Sequence, residues 1–484
     1  MTIAQQKNPL FSNKILLPAA ILFSGLCWYI SYGLTGDYWF LFWLAPIPVM
    51  ILSFRLSGKA AFFIAFISYL IGRLSWFTYL VSVATMVPAV IFTIAPSLFF
   101  ALLMLLTRRI VINSKYWFTV FAFPALWTSF EFLLIKFSAD GTAASVAYSQ
   151  LNMLPLIQIA SITGILGITF IITFIPSAIA VAWHFKNERK KLQYVFITSL
   201  VLISVVFLFG ELRLNSDEDK SNTKVGLVVV EEKLHNITDH PDAAKEIALT
   251  ENYAGQIAKL AAQGAQVVVM AERAINITKD TDSAIMSILS NAAIQNHVVI
   301  VTGYTNFKNK PARNSALVIN NNGKLIADYN KVHLVTGLES MFTPGKEIGS
   351  LDFNGIKSGV SICKDLDFPD YIRKYGADNA GCLFIPARDF VTDDWLHSRM
   401  AILRGVENGF SEVRTARQGR LTISDYYGKV NFETSCANGN AASLTGEVSF
   451  KHKDTFYNKY GDWFAVVTIV MSLGFIVIGF KKRS

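Results

Sequence analysis

The stretch LPLIQIASITGILGITFIITFIPSAIAVAW, residues 154–183, contains no charged side chain. A transmembrane helix needs about 20 apolar residues, because each residue of an α-helix adds only about 1.5 Å to its length. This stretch is therefore long enough to cross a bilayer. The composition agrees, since 52% of the 484 residues are hydrophobic and the mean hydropathy is +0.39. Soluble domains are rarely so apolar, so we expect a membrane protein.

Seven further apolar runs have comparable lengths, and the pattern predicts a bundle of about eight transmembrane helices. The runs occupy residues 15–34, 38–54, 60–79, 87–106, 117–137, 194–209 and 463–480. Trp and Tyr residues lie near the ends of several runs, where amphipathic rings favour the membrane interface. We expect seven helices in residues 1–209, a separate domain in residues 210–462, and a last helix with a basic tail in residues 463–484.

The net charge of +9 is not spread evenly along the chain. Lys and Arg residues are concentrated in every second loop of the predicted bundle and at its two ends. These residues are Lys7, Lys14, Arg55, Lys59, Arg108, Arg109, Lys115, Lys186, Arg189, Lys190, Lys191, Lys481, Lys482 and Arg483. Positively charged loops stay in the cytoplasm. The distribution predicts cytoplasmic termini and, in a Gram-negative cell, a periplasmic location for residues 210–462. It also argues against a nucleic-acid partner.

Residues 210–462 have the pattern of a soluble α/β domain. Short β-branched runs alternate with segments of helical periodicity, and the string NNG at 321–323 has the composition of a tight hairpin turn. This order predicts helices packed on mixed sheets. Cys363, Cys382 and Cys436 show neither CxxC nor Cys/His spacing, so we expect no metal site and no other cofactor. The spacing leaves open whether two of them form a disulfide.

Three polar residues of this domain lie where predicted strands end. Glu272 follows the run QVVVMA, Lys331 opens the string KVHLVTGLE, and Cys363 ends the run GVSIC. Active-site residues of α/β domains gather at strand ends, because loops there carry function on a rigid frame. A carboxylate can take the proton of a thiol, and an ammonium can stabilise a thiolate or an oxyanion. The three residues are therefore candidates for one site, although each type is also common at such positions for structural reasons.

The order Glu, Lys, Cys and the strings around these residues resemble the nitrilase superfamily. Seven apolar segments before such a domain and one after it resemble one branch of that superfamily, the apolipoprotein N-acyltransferases. The strings AYSQ at 147–150 and QIASITGILGITF at 158–170 also match that family. The resemblance implies an α-helical membrane bundle joined to an αββα sandwich domain in the bacterial inner membrane.

The resemblance also implies a reaction. An acyl chain passes from a membrane phospholipid to the cysteine as a thioester, and then to the N-terminal amine of a diacylglyceryl-cysteine apolipoprotein. By position, Glu272 corresponds to the general base, Lys331 to the cation beside the oxyanion and Cys363 to the nucleophile. Glu339 matches a further essential acid, and Gly419 matches a glycine in the loop beyond the active-site helix.

The chain departs from the family pattern close to these residues. Ala271 stands where Pro is usual, and residues 336–338 read TGL where the family usually reads PFG. Lys364 and Asp365 follow the cysteine where Tyr-Glu is usual, and Arg-Gln at 417–418 replaces Asn-Asn. These changes alter the lining of the site. The acyl donor and the amine acceptor therefore stay open.

Three neighbours of the candidate residues are candidates for supporting groups. Lys364 either packs its stem and reaches solvent, or holds its ammonium near the sulfur of Cys363 and lowers the pKa of that thiol. His333 fits a structural hydrogen bond better than a catalytic role. Asp365 is one methylene shorter than the usual Glu, so any hydrogen bond that it makes is repositioned.

Other functions compete with the acyl transfer as interpretations of the sequence. The alternatives are a membrane-tethered amidase, an acyltransferase with a different amine acceptor, and a catalytically inactive membrane scaffold. The complete set of Glu272, Lys331 and Cys363 argues against the scaffold, and seven predicted spans argue against the amidase, since one span suffices for tethering. The expected partners are a membrane phospholipid and a lipidated apolipoprotein, and we expect the chain to act as a monomer.

Overall fold

The computed structural model describes residues 15–32, 34–216, 222–235, 241–353 and 355–481. Four basic residues that contributed to the predicted topology lie outside these ranges, namely Lys7, Lys14, Lys482 and Arg483. The described chain forms a helical bundle that carries a two-sheet α/β domain. The fold class predicted from the sequence is confirmed in both parts.

Most of the described helices belong to the membrane bundle. In chain order, the helices are α1 Leu16–Ser31, α2 Leu41–Leu44, α3 Pro46–Ser53, α4 Gly58–Arg73, α5 Phe77–Ala84, α6 Met86–Asn113, α7 Ala122–Phe137, α8 Leu154–Ile157, α9 Ala160–Thr163, α10 Ile165–His184, α11 Arg189–Leu214, α12 Ala243–Ala262, α13 Asp282–Asn296, α14 Pro369–Ala377, α15 Asp394–Asn408, α16 Phe456–Tyr460 and α17 Trp463–Phe480. Helices α1–α11 and α17 build the bundle, and the others belong to the α/β domain or to its junction with α17.

Within the described residues, six helical segments are long and apolar enough to cross a membrane. They are Gly58–Ala84, Met86–Asn113, Trp117–Phe137, Ile165–His184, Arg189–Leu214 and Trp463–Phe480. The first two predicted runs form shorter apolar helices instead, Leu16–Ser31 and Leu41–Ser53. The second of these is interrupted near Pro46, because proline has no N–H to donate within a helix. The predicted number of eight spans is therefore approximate.

The run 154–183 is predicted as one span, but it is not one helix. It contains α8 and α9, and a turn at Gly164 separates them from the long helix α10. Gly164 has φ +66, a left-handed conformation that glycine adopts readily. Only the part Ile165–His184 is long enough to cross the bilayer.

The α/β domain contains two sheets. The strands are β1 Asn222–Val229, β2 Val267–Met270, β3 Ile275–Ile277, β4 Val299–Asn306, β5 Arg313–Ile319, β6 Leu325–Asn330, β7 Gly349–Phe353, β8 Ile356–Val360, β9 Cys382–Arg388, β10 Ser411–Arg417, β11 Arg420–Ser424, β12 Val430–Ser435 and β13 Ala442–Ser449. The first sheet has the order β13-β1-β2-β4-β5-β6, with β3 paired to β4. The second has the order β12-β11-β10-β9-β8-β7.

The two sheets face each other, and helices cover their outer faces. Val225 and Leu227 of β1 point into a core shared with Phe384 of the second sheet. Val228, the next residue along β1, points to the opposite face, where it packs with Tyr253 of α12. Successive strand residues point to opposite faces, so this alternation buries both sides of the sheet. Helices α12 and α13 cover the first sheet, and α15 lies on the second.

The α/β domain lies directly on the bundle. The backbone N–H of Ile165, at the start of α10, donates to Oε1 of Glu407 on α15 at 2.7 Å. The hydroxyl of Tyr79 on α5 donates to Asp393 Oδ2 at 2.7 Å. Helix α11 runs to Leu214, beyond the predicted boundary at residue 209. The catalytic candidates are thus held close to the ends of the membrane helices.

Candidate active site

The three catalytic candidates all follow strand ends, as the sequence predicted. Glu272 lies two residues after β2, Lys331 directly after β6, and Cys363 three residues after β8. Cys363 opens a 3-10 turn, Cys363–Asp367. Lys331 Nζ donates to Glu272 Oε1 at 2.8 Å. The structure therefore joins the Glu and the Lys of the first sheet in a direct ion pair and places the Cys after β8 of the second sheet.

Glu339 and Asn314 complete a buried polar cluster with this ion pair. Lys331 Nζ also donates to Glu339 Oε2 at 2.9 Å, and Asn314 Nδ2 donates to both carboxylates at 2.6 Å. The N–H of Val335 donates to Glu339 Oε2 at 2.7 Å. Lys331 is only 1% exposed, so its ammonium has these two carboxylates in place of water. The site contains a fixed cation held between two anions.

Charge neighbours decide the protonation of this cluster. Burial alone would lower the pKa of Lys331, but Glu272 and Glu339 outweigh it and hold that pKa well above its usual value. Burial alone would raise the pKa of Glu272, but the Lys331 ammonium and the Asn314 amide keep it below the usual value. At neutral pH, Lys331 is therefore an ammonium and Glu272 a carboxylate able to accept a proton.

The thiol of Cys363, unlike the Glu272 carboxyl group, favours its protonated form. Burial raises its pKa well above the usual value, and the negative charge of Glu272 adds to the effect against the opposing Lys331 cation. Its Sγ lies 3.5 Å from the carbonyl oxygen of Arg388. A neutral thiol beside an ionised carboxylate is the starting state of a base-assisted nucleophile.

Cys363 also has an unusual backbone. Its φ of +43 lies in the left-handed region, which residues with a Cβ occupy at a cost of order 1–3 kcal/mol. The surrounding structure must therefore hold the turn in place. Strand β8 alone cannot do so, because it ends three residues earlier.

Asp365 is one of the groups that hold this turn. Its carboxylate accepts the N–H groups of Val332 and His333 at 3.1 and 2.7 Å, and that of Ile362 at 3.1 Å. It also accepts the hydroxyl of Tyr329 at 2.6 Å. The shorter Asp thus still connects the segment after Lys331 to the segment before Cys363, a positioning role rather than a chemical one.

His333 lies beside this connection. Its Nδ1 is 3.0 Å from Asp365 Oδ1, and its ring stacks on Phe368 with centroids 3.8 Å apart. The contact with Asp365 is a structural hydrogen bond of the kind that the sequence favoured. The role of His333 in catalysis stays untested.

The ammonium of Lys364 pairs with a residue in the loop that follows α7 of the bundle. Its Nζ donates to Asp140 Oδ1 at 2.6 Å and lies 3.9 Å from Asp367 Oδ2. The charged groups with the largest effects on the pKa of the Cys363 thiol are Glu272, Lys331, Asp389 and Arg414. Neither sequence interpretation of Lys364 included a partner in the membrane part.

Gly419 lies next to a second buried cluster. A Cβ at this position would lie 2.0 Å from Asp389 Oδ2, so the close approach requires glycine. Asp389 accepts both Arg414 Nη atoms, at 3.0 and 2.6 Å, and lies 3.5 Å from His397 Nδ1. Burial opposes protonation of His397, but Asp393 and Asp389 raise its pKa to about 9.

Sequence reasoning missed Asn314 and the cluster around Asp389. Asn314 lies near the start of the mostly apolar strand β5 and is 1% exposed. A polar side chain in a buried strand was the signal that could have found it. Asp389 and Arg414 are distant in sequence, and nothing in their spacing indicates the ion pair.

A cavity of about 340 Å³ lies at the seam between the bundle and the α/β domain. Its walls include Phe132 and Ile165 from the bundle, and His333 and Phe368 from the domain. Cys363 is not part of these walls. The cavity thus borders the site on the His333 side.

Within the described residues, no group of three or more His, Cys, Asp or Glu side chains has the arrangement of a metal site. The expectation of a reaction without metal or cofactor stays a prediction. The described cysteines are all free thiols, and Cys382 and Cys436 are buried. The question of a disulfide is thereby answered for this structure.

Two family descriptions match the chain. Residues 24–178 match the apolipoprotein N-acyltransferase N-terminal domain, and residues 235–431 match the carbon-nitrogen hydrolase domain. The apolipoprotein N-acyltransferase of Geobacter metallireducens is 26% identical over 486 residues, covering 91% of this chain and 91% of that protein. The chain is similar over nearly its whole length to an apolipoprotein N-acyltransferase. Together with the six apolar helices among the described residues, this similarity indicates a bacterial membrane protein.

The chain is also similar to a second apolipoprotein N-acyltransferase and to one solved amidase structure. The apolipoprotein N-acyltransferase of Rickettsia bellii is 24% identical over 410 residues, or 76% of each chain. Among solved structures, an amidase from Nesterenkonia sp. is 18% identical, with a TM-score of 0.41, over 51% of this chain and 96% of that one. The predicted resemblance to a membrane-embedded branch of the nitrilase superfamily is confirmed by the two family matches.

Proposed function

We propose that this chain transfers an acyl chain from a membrane phospholipid, through a thioester on Cys363, to the N-terminal amine of a diacylglyceryl-cysteine apolipoprotein. One observation carries the proposal. A neutral thiol lies at a strand end beside a buried Glu272–Lys331 ion pair, in a domain seated on membrane helices. This arrangement supports a role for the Cys363 sulfur in accepting an acyl chain from a membrane lipid. The similarity to apolipoprotein N-acyltransferases supports the same reaction.

The first half-reaction forms the thioester. Glu272 takes the proton of Cys363 Sγ, and the sulfur attacks the ester carbonyl carbon of the phospholipid. The negative charge that develops on the carbonyl oxygen is stabilised by the Lys331 ammonium. The C–O bond to the glycerol then breaks, and the departing oxygen takes the proton from Glu272. The products are a lysophospholipid and the S-acyl enzyme.

In the second half-reaction, Glu272 and Lys331 act on the amine of the acceptor and on the thioester. The neutral amine of the acceptor attacks the thioester carbonyl carbon, and Lys331 again faces the oxyanion. Glu272 accepts the proton that the amine loses, the C–S bond breaks, and the sulfur is reprotonated from Glu272. The amide product leaves with the enzyme in its starting state. Glu339 and Asn314 keep Lys331 and Glu272 in place through both steps.

The thioester is the observation that would test this function. Purified protein given phospholipid alone should gain the mass of one acyl chain on the peptide that contains Cys363, and hydroxylamine should remove it. With both substrates, initial rates should give parallel double-reciprocal lines, because the lysophospholipid leaves before the amine reacts. Intersecting lines with no acyl-enzyme would indicate direct transfer in a ternary complex and refute the mechanism.

We infer that the chain lies in the inner membrane with both termini in the cytoplasm and the catalytic domain in the periplasm. The enrichment of Lys and Arg in alternate loops supports this topology. A fluorescent protein fused after Ser484 should be bright, and alkaline phosphatase at the same place should be inactive. An active phosphatase there would reverse the assignment. The matched control is a phosphatase inserted in the exposed turn at Asn322, which should be active.

A further inference from the structure

The bundle reaches the nucleophile's own turn through the loop after α7. The N–H and the hydroxyl of Thr142 both donate to the carbonyl oxygen of Asp367, at 2.9 and 3.0 Å. Gly141 approaches so closely that a Cβ there would lie 2.2 Å from that same oxygen. Asp367 is the last residue of the 3-10 turn that begins at Cys363. The loop therefore contacts the far end of this turn through its backbone.

An ion pair joins the same loop to the residue after the nucleophile. Lys364 Nζ donates to Asp140 Oδ1 at 2.6 Å. The Lys364 side chain is 9% exposed, while that of Asp140 is 44% exposed. We call this pair, with the Thr142–Asp367 hydrogen bonds, the loop contact. It links Lys364, one residue from the sulfur, to the membrane part.

The loop is itself fixed at its other end inside the bundle. Ser145 Oγ donates to Glu131 Oε1 on α7 at 2.5 Å, and Thr169 Oγ1 on α10 donates to the same oxygen at 2.8 Å. Glu131 is 4% exposed and also accepts Trp127 Nε1 at 3.3 Å. A carboxyl buried among membrane helices is costly unless it is hydrogen-bonded. These bonds anchor the loop to two long helices.

We propose that Asp140 and Lys364 are positioning residues, which hold the strained turn of Cys363 against the membrane loop so that its sulfur faces the acyl donor. The expected effect on acyl transfer rests on the proposed function, whereas the contacts themselves do not. A left-handed residue with a Cβ stays in place only where its surroundings fix it. Asp365 fixes the turn from the side of β6, and the loop contact fixes it from the side of the bundle.

This role differs from direct activation of the thiol by Lys364. If Lys364 stabilised the thiolate, its removal would shift the pH dependence of Cys363 alkylation upward and slow alkylation at neutral pH. If Lys364 positions the turn, its removal frees the sulfur to reach solvent, and alkylation becomes faster. The two roles therefore predict opposite signs in one measurement.

The experiment compares Lys364→Met, Asp140→Asn and the double variant in the full-length protein. We expect each single variant to form the acyl-thioester about tenfold more slowly, a loss of about 1.4 kcal/mol. Iodoacetamide should alkylate Cys363 several-fold faster at pH 8 in each of them. The double variant should be no worse than either single one, because both changes break the same contact. Lys364→Arg, which can still pair with Asp140, should recover most of the rate.

The matched control is the surface pair Lys357–Asp378, at 3.2 Å on the other end of the same sheet. Lys357→Met should change neither the rate of thioester formation nor the rate of Cys363 alkylation. Additive losses in the double variant, unchanged alkylation, or slower alkylation with an upward pH shift would each overturn the inference. Alkylation of Cys363 needs no lipid substrate. A wild-type protein without acyl transfer would therefore refute the proposed function while the alkylation rates still decide the positioning role.

Discussion

Replacing Cys363 with serine is expected to lower the rate of acyl transfer at least about 1,000-fold, because a hydroxyl is a weaker nucleophile and its oxygen a poorer leaving group than sulfur. Serine keeps the shape of the side chain, so the φ of +43 and the turn Cys363–Asp367 should survive. The loss of rate should therefore come from the weaker nucleophile and not from a change in structure. It is measured as the initial rate of N-acylation of a lipopeptide in detergent or nanodiscs.

The chain offers two matched controls for this substitution. Cys436 is buried, and its Sγ donates to the carbonyl oxygen of Ala416 at 3.0 Å, a bond that a serine hydroxyl can also make. Cys436→Ser should keep nearly the wild-type rate. Cys382 lies in the apolar core between the sheets, where a hydroxyl without a partner costs about 1–3 kcal/mol. Cys382→Ser should remain active but melt earlier. A Cys363→Ser protein at near wild-type rate would exclude the thioester.

The positions of the three catalytic candidates could be predicted because each lies at a strand end with a local signature. Glu272, Lys331 and Cys363 stand at positions that the strand pattern itself reveals, and their family strings gave them roles. The cluster that sets their charges could not be predicted in the same way. Asn314 reaches both carboxylates because β5 lies between β4 and β6 in the first sheet, and the spacing of the sequence does not reveal that strand order.

Lys364 shows a different limit of sequence reasoning. Its neighbour in sequence is the nucleophile, so both sequence interpretations considered only the sulfur and the solvent. Its partner Asp140 lies in the membrane part, more than two hundred residues away in the chain. No periodicity or motif connects a loop after α7 to a turn after β8. Contacts between the bundle and the α/β domain depend on how the two parts pack together, which the sequence pattern of each part does not reveal.

The membrane part illustrates the same point on the scale of helices. Apolar length predicted that residues 154–183 form one span, but Gly164 divides them, and Glu407 of the α/β domain accepts the first N–H of α10. Apolar residues occur both where a helix faces lipid and where it packs inside the bundle, so apolar composition alone does not show where a helix begins. The start of this helix depends on a carboxylate from another domain.

Replacing Lys331 with methionine is expected to destabilise the protein by about 3–5 kcal/mol and to abolish acyl transfer, because it leaves two buried carboxylates without their cation. Glu272 and Glu339 lie at 2.8 and 2.9 Å from Lys331 Nζ, and the neutral amide of Asn314 is the other donor that they share. Methionine fills a similar volume, so the loss reflects charge more than packing. The melting temperature of the α/β domain, followed at several pH values, measures it.

The pH dependence of this loss has a definite sign. In the wild type, the pKa of Lys331 is raised, so its contribution to stability is present below the unfolded pKa of about 10.4 and is lost only as the pH rises through the higher folded value. The pKa of Glu272 is lowered, so its contribution is present above about 4.3 and is lost as the pH falls through the lower folded value. Between these limits the wild type should change little. Without the cation, burial should raise the pKa of Glu272, and the variant should lose stability as the pH rises from 5 to 8.

A second substitution separates stability from chemistry. Lys331→Met with Glu339→Gln removes one of the two uncompensated charges, and the amide can still accept the N–H of Val335 that now bonds to Glu339. The double variant should therefore recover part of the melting temperature at pH 8, while acyl transfer stays absent, because no cation faces the oxyanion. A Lys331→Met protein as stable at pH 8 as at pH 5 would mean that Glu272 stays ionised in the folded variant, as it is in the unfolded chain. The Lys331 ammonium would then not be the group that keeps the Glu272 carboxylate charged.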